Sequence, residues 1–289
     1  MHKINYSTKI LTAAVLASLL AATPVGAAEQ NVTDTVGASN TSADPYASIA
    51  VTETTSRQTS AGVSPDTFYA VNISTDSGTN QLYVTDSSTI SVTATNTRGA
   101  VNAYSIYNKV NQTLTVSGTP SLTAAATAGT NDNSSVTSGD DASASAVAQA
   151  YGLRNGQNFE GNTGTVTTAD IKSITVTAAA GQATAGTASS SSSDTDPAYA
   201  GAEAFASATG IETWGPKPKE FGNIGSITAT AKAGTATGGT ATSSDGSSGA
   251  AGADARAYAA GIYISDSIVN VGDLSDLKVS AIGGKATVR

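Results

Sequence analysis

The sequence predicts an all-β fold: a parallel β-helix (β-solenoid) from which Ser/Gly/Thr-rich hairpins or loops protrude. Three observations lead there. Nine-residue segments recur at intervals of 52, 53 and 50 residues. Within each segment apolar and hydroxyl side chains alternate. Ala, Ser, Thr and Gly supply 161 of the 289 residues, while Leu, Ile, Val and Phe together supply 49. So few large apolar side chains cannot fill the core of a large globular enzyme, and burial has to be spread over many equivalent layers.

The chain begins with an expected signal peptide, residues 1–28. Lys3 and Lys9 form a positive start, and Ile10 to Ala22 is a 13-residue apolar run. Pro24 ends the run, and the small residues of Val25-Gly26-Ala27-Ala28 follow it. That order matches a secretory signal. The run is shorter than the roughly 20 residues of a membrane-spanning helix, and no other apolar run is long enough to span. Residues 29–62 read as a polar lead-in whose composition allows disorder up to Tyr46 or beyond.

Residues 63–289 carry the repeats. SLTAAATAG at 121–129, SITVTAAAG at 173–181, SITATAKAG at 226–234 and DLKVSAIGG at 276–284 align without gaps. Leu122, Ile174, Ile227 and Leu277 hold one position in this alignment, and Gly129, Gly181, Gly234 and Gly284 hold the last. A weaker version, TISVTATN, begins at Thr89. A period of two places Ile174 and Val176 on one side of a strand and Ser173, Thr175 and Thr177 on the other. The glycines are expected at bends, where a residue without Cβ costs least. A second element alternates with the first: Ala103-Tyr104-Ser105-Ile106, Ala150-Tyr151-Gly152-Leu153, Ala208-Thr209-Gly210-Ile211 and Ala259-Ala260-Gly261-Ile262. Its Tyr and Ile suit another strand with an apolar inner face. One such unit cannot bury that face alone, whereas stacked units make a continuous ladder.

Polar stretches at 130–141, 187–196 and 242–254 separate the two elements and are expected to leave each layer as hairpins or loops. Their Asp and Asn residues match neither the EF-hand loop nor the glycine-rich nonapeptide, so no metal is assigned to them. Residues 211–223 hold the only Trp. Trp214, with Lys217 and Lys219, is a candidate carbohydrate-stacking or docking spot, set against a plainer role in covering the edge of the stack.

Composition removes several chemistries. No Cys occurs, and His2 lies in the segment expected to be cleaved, which excludes disulfides, Cys ligands and His-based triads or metal sites from the mature chain. No cofactor motif is present. Losing Lys3 and Lys9 takes the formal charge from −8 to −10, which disfavours nucleic acid. Asp140-Asp141 and Asp194/Asp196 are the nearest candidates for paired carboxylates, but they sit in the polar tips.

The export signal, the Cys-free composition, the S-I-T-x-T-A-x-A-G strands, the A-Y-G-L and A-A-G-I elements and the Ser/Gly excursions resemble the passenger region of a type V autotransporter or an adhesin-like bacterial surface protein. The resemblance covers roughly Thr89 to Arg289. It implies a right-handed parallel β-helix carried through the outer membrane by a C-terminal β-barrel. No barrel strands follow Ala286-Thr287-Val288-Arg289, in the middle of the fourth repeat, so the expectation is a truncated passenger or release by another route. The function expected is that of an exported, non-catalytic stalk or adhesin, at the cell surface, outer-membrane-associated or extracellular. Its partners would be a host or environmental glycan or protein and, for a fragment, the barrel translocator. The alternatives are a polysaccharide-active β-helix enzyme and an unstructured Ser/Thr-rich wall spacer.

Overall fold

A computed structural model describes residues 30–32, 35–36, 40–59, 64–74, 78–138, 141–156, 163–190, 198–243 and 249–288. The expected signal peptide, the loop tips with Asp140, Asp194 and Asp196, and Arg289 lie outside the described residues. Among those described the protein is all-β, without a helix, and so without any helix long and apolar enough to cross a membrane. Its strands form sheets of eleven, five, four and three strands, and every strand-to-strand pairing is parallel.

The alternating nine-residue segments become neighbours in the largest sheet. Strands Ser121–Ala128, Ser173–Ala179, Ile227–Lys232 and Leu277–Ile282 lie side by side. Leu122 pairs with Ile174, Ile174 with Ile227 and Ile227 with Leu277. The first three are buried, while Leu277, on the edge strand of this sheet, is exposed. Burial follows the period of two: Ile174, Val176 and Ala178 point into the core and Thr175 and Thr177 away from it. The hydroxyl side is therefore a column as well, with Ser91, Thr123, Thr175, Thr228 and Lys278 in register.

Strand Tyr46–Thr55 lies within the polar lead-in and joins this sheet, pairing Ile49 with Ile90 and Val51 with Val92. Ile49 and Val51 enter the core and Tyr46 packs against it, which seats the strand. The long strand Gly78–Asn96 pairs through its first part with Gln112–Ser117 and through its second with Ser121–Ala128, so one strand turns the corner between two faces.

The second element forms the five-stranded sheet. Its strands are Asp66–Ile73, Val101–Asn108, Ala144–Asn155, Tyr199–Trp214 and Ala250–Ser265. The motif residues align as expected: Ala103, Ala150, Ala208 and Ala259 share one column, and Ile106, Leu153, Ile211 and Ile262 another. The core between the sheets is built largely of alanine with Ile, Leu and Val. Each buried methyl adds only about 0.8 kcal/mol, so stability accumulates layer by layer. Asparagines line the corners, where Asn108 Nδ2 donates to Asn155 Oδ1 at 2.7 Å and to the Gln112 carbonyl at 3.0 Å.

The polar excursions, expected as hairpins or loops, are described only in their arms. Thr137–Ser138, Thr187–Ser190 and Thr240–Ser243 pair in parallel with one another, Thr187 with both Thr137 and Thr240. Each arm finds its hydrogen-bond partner in the equivalent arm about 50 residues away instead of in its own return arm. The physical reason lies at their bases. Gly186 and Gly239 let successive arms approach closely, and a Cβ on Gly239 would stand 1.7 Å from the Gly186 carbonyl oxygen.

The repeat glycines serve the same purpose. None of Gly129, Gly181, Gly234 and Gly284 has a positive φ. Instead, a Cβ on Gly181 would meet Gly129 O at 2.2 Å, one on Gly234 would meet Gly181 O at 1.7 Å, and one on Gly284 would meet Gly234 O at 1.8 Å. These positions carry glycine because each layer's backbone rests on the one before.

Candidate functional site

The outer face of the five-stranded sheet concentrates the aromatic residues. In Ala150-Tyr151-Gly152-Leu153 both Ala150 and Leu153 belong to the core, three positions apart instead of two. The strand must turn between them, and it turns at Gly152. A Cβ there would meet Gly210 O and the Ile174 side chain, each at 2.5 Å. The turn leaves the tyrosine outside the core. Tyr104, Tyr107 and Tyr151 accordingly form a cluster of their own with Tyr69 packed against it.

Parallel register stacks these rings. Tyr69 pairs with Tyr104 and Tyr104 with Tyr151. Their centroids are 5.1 Å apart at 20° and 4.8 Å apart at 4°. Offset-stacked rings at such distances add about 0.5–1.5 kcal/mol per pair beyond area burial. Burial pushes the Tyr69 hydroxyl up to about 12, with Tyr104 and Tyr107 adding to the effect, and it raises Tyr104 and Tyr151 as well.

The next column carries charge: Tyr107, Arg154, Glu212 and Tyr263 are successive partners. The Arg154 guanidinium carbon lies 4.9 Å from the Tyr151 centroid and 5.7 Å from that of Tyr104, and Nη1 donates to the Tyr104 hydroxyl at 3.0 Å. Its Nε stands 3.0 Å from Glu212 Oε1. Burial opposes charge on Arg154, but Tyr104, Glu212 and Tyr151 outweigh it and raise the pKa. Glu212 Oε1 also accepts from Trp214 Nε1 at 2.7 Å, which fixes the indole. Trp214 packs against Tyr263 at 5.6 Å and 53°. A shallow cavity of about 310 Å3 opens here, lined by Ser207, Thr209, Glu212, Trp214, Tyr258 and Tyr263.

Of the three residues singled out around the Trp, the structure places Trp214 at this cavity and Lys217 in solvent. Lys219 is fully buried and faces neither. Its ammonium donates to the carbonyls of Trp214 (3.0 Å), Gly215 (2.7 Å) and Lys217 (2.7 Å) and to Ser267 Oγ (3.2 Å). Burial lowers its pKa to about 8. It acts as a tie that closes the Gly215–Pro218 turn onto the following layer.

The repeat positions Leu122, Ile174 and Ile227 are core, not site. The sequence pattern does not group the aromatic and charged residues of this face. Their one sequence signal was the Ala-to-Ile spacing of three in the second element, which breaks the period of two and turns the tyrosine outward. Among the described residues no group of three or more acidic side chains is placed to hold a metal ion. No protein family, curated protein or solved structure matches the chain.

Proposed function

We propose that the stacked layers are a parallel β-solenoid and that the chain is an exported, non-catalytic surface protein, a stalk or adhesin of the kind its sequence resembles. The observation that supports this reading is the ladder itself. Equivalent residues 50 to 53 positions apart pair in register through successive layers, as Ile174, Ile227 and Leu277 do. A quasi-one-dimensional stack of this kind lengthens by adding layers and presents long continuous faces for contact. The aromatic face of the five-stranded sheet is the surface on which an adhesive contact would be made.

The location is tested on cells that produce the full chain. Antibody against the solenoid, added outside intact cells, is expected to label them, and external protease to remove the label. Labelling that appears only after the envelope is broken would contradict the surface assignment. The architecture is tested by deleting 174–226, one whole repeat, which joins Ser173 to Ile227 and recreates the natural Ser226–Ile227 junction. A solenoid keeps its β-type circular dichroism and melts cooperatively after losing a layer. Collapse to a random-coil spectrum would contradict it.

A further inference from the structure

The tyrosine column stops at Tyr151. The next two positions in that column are Thr209 and Ala260, which carry no ring. Thr209 lies in the floor of the shallow cavity, with Tyr258 and Tyr263 on the neighbouring strand and Trp214 beside Tyr263. We propose that this niche binds one neutral pyranose ring of a glycan. The proposal rests on the adhesin reading above and gives that reading its ligand class.

The size fits, since a cavity of about 310 Å3 lies at the small end of ligand sites. The walls fit as well. A pyranose has an apolar C–H face and a rim of hydroxyl groups. Trp214 and Tyr263, inclined at 53°, offer a concave aromatic corner for the first. Ser207, Thr209 and Glu212, all buried, form the polar floor against which the second would rest. Tyr258 and Tyr263, on the edge strand of the sheet, are 43% and 36% exposed and reachable by a ligand. The corner is pre-formed, because Trp214 is already held by Glu212. Pre-formed sites lose less freedom on binding.

Charge selects a neutral ligand. The Glu212 carboxylate is compensated by Arg154 at 3.0 Å, and the Arg154 guanidinium is spread over Tyr104 and Tyr151. A cationic ligand would compete with Arg154 for Glu212. An acidic sugar would bring its carboxylate against that of Glu212.

Trp214 is the chain's only tryptophan, so its emission reports on the niche directly. The full chain is titrated with methyl glycosides of neutral hexoses and N-acetylhexosamines, with the neutral oligosaccharides built from them, and with choline and glucuronate as charged comparators. The expected result is a saturable change with at least one neutral saccharide, weakened about tenfold or more by Tyr263→Ala and by Tyr258→Ala, a loss of about 1.4 kcal/mol or more. Thr228→Ala, on the other large sheet, leaves it unchanged. Thr209→Tyr fills the cavity and abolishes binding while the β-type circular dichroism is retained, which separates a blocked niche from a misfolded one. The proposal is overturned if no neutral saccharide shifts the emission, if choline or glucuronate binds in preference, or if Thr209→Tyr binds as the parent does. Adhesion of the protein to cells distinguishes this failure from that of the wider reading. Adhesion that survives Thr209→Tyr removes the niche and leaves the adhesin; no adhesion by the parent removes the adhesin.

Discussion

Replacing Gly234 by alanine tests whether the layers rest directly on one another. The new Cβ would stand 1.7 Å from Gly181 O, 2.5 Å from Gly181 C and 2.7 Å from Ala180 O. All three are backbone atoms, so no rotamer change relieves the clash. Bringing the shortest contact to an ordinary distance near 3.0 Å means parting the two layers by about 1.3 Å. That is a large share of a strand spacing of about 4.8 Å. Gly234 O itself accepts an inter-layer hydrogen bond from Lys285 N at 3.3 Å, and beside it Ala180 N donates to Lys232 O and Ala233 N to Ile282 O, each at 2.9 Å. Overpacking costs about 1–3 kcal/mol, and an inter-layer hydrogen bond lost in this interior adds about 1–3 kcal/mol. A destabilisation of about 3 kcal/mol follows, which for a chain of this size lowers the melting temperature by roughly 6–12 °C. The control is Gly252→Ala: no atom lies within 4 Å of its would-be Cβ and its φ is not positive, so its melting temperature should move little. Thermal melts followed by circular dichroism compare the two. If Gly234→Ala melts with Gly252→Ala and the parent, the close approach of the layers is not what requires glycine there.

Two further predictions concern the corner and the aromatic face. Lys219→Met keeps the side chain's bulk but leaves the carbonyls of Trp214, Gly215 and Lys217 without their shared donor. It should destabilise by about 3 kcal/mol, seen as a lower midpoint in urea, while Lys217→Met on the exposed neighbour should leave the midpoint where it is. In alkali, free tyrosines ionise near pH 10, whereas burial holds Tyr69 protonated to about 12. Between these values the unfolded chain releases protons that the folded chain retains, so stability is intact below pH 10 and falls as pH rises towards 12. Ultraviolet titration should show part of the phenolate signal appearing only as the fold is lost; a single transition near pH 10 with the fold intact would contradict the buried stack.

Much of the architecture is legible in the sequence because the repeat is positional. Leu122, Ile174, Ile227 and Leu277 align on paper and align again in space, since a parallel ladder turns sequence period into register. The glycines that follow them are legible as positions, but the reason for them is not. They suggest bends, and the cause is the neighbouring layer, which no local pattern displays. The polar arms alternate equally well for a hairpin or a parallel stack, so their partners are visible only in three dimensions. The same limit hides the site. Arg154 and Glu212 are 58 positions apart, and only the exact count of residues in one layer puts one beside the other. The polar context around Lys219 likewise suggests an exposed cation, whereas its alternation with Phe221 points both side chains inward.

Consecutive repeats lie one strand spacing apart in a single register. The chain has no cysteine, so pairs of introduced cysteines carrying spin labels measure that spacing without background. Thr175 and Lys278 are two steps apart in one column, and Ser91 and Lys278 are four. At about 4.8 Å per step the backbone separations are about 10 Å and about 19 Å. Dipolar distance measurements on the two pairs should give narrow distributions that differ by about 10 Å. Broad distributions, or a Ser91 to Lys278 distance no longer than the other, would contradict the stacked register.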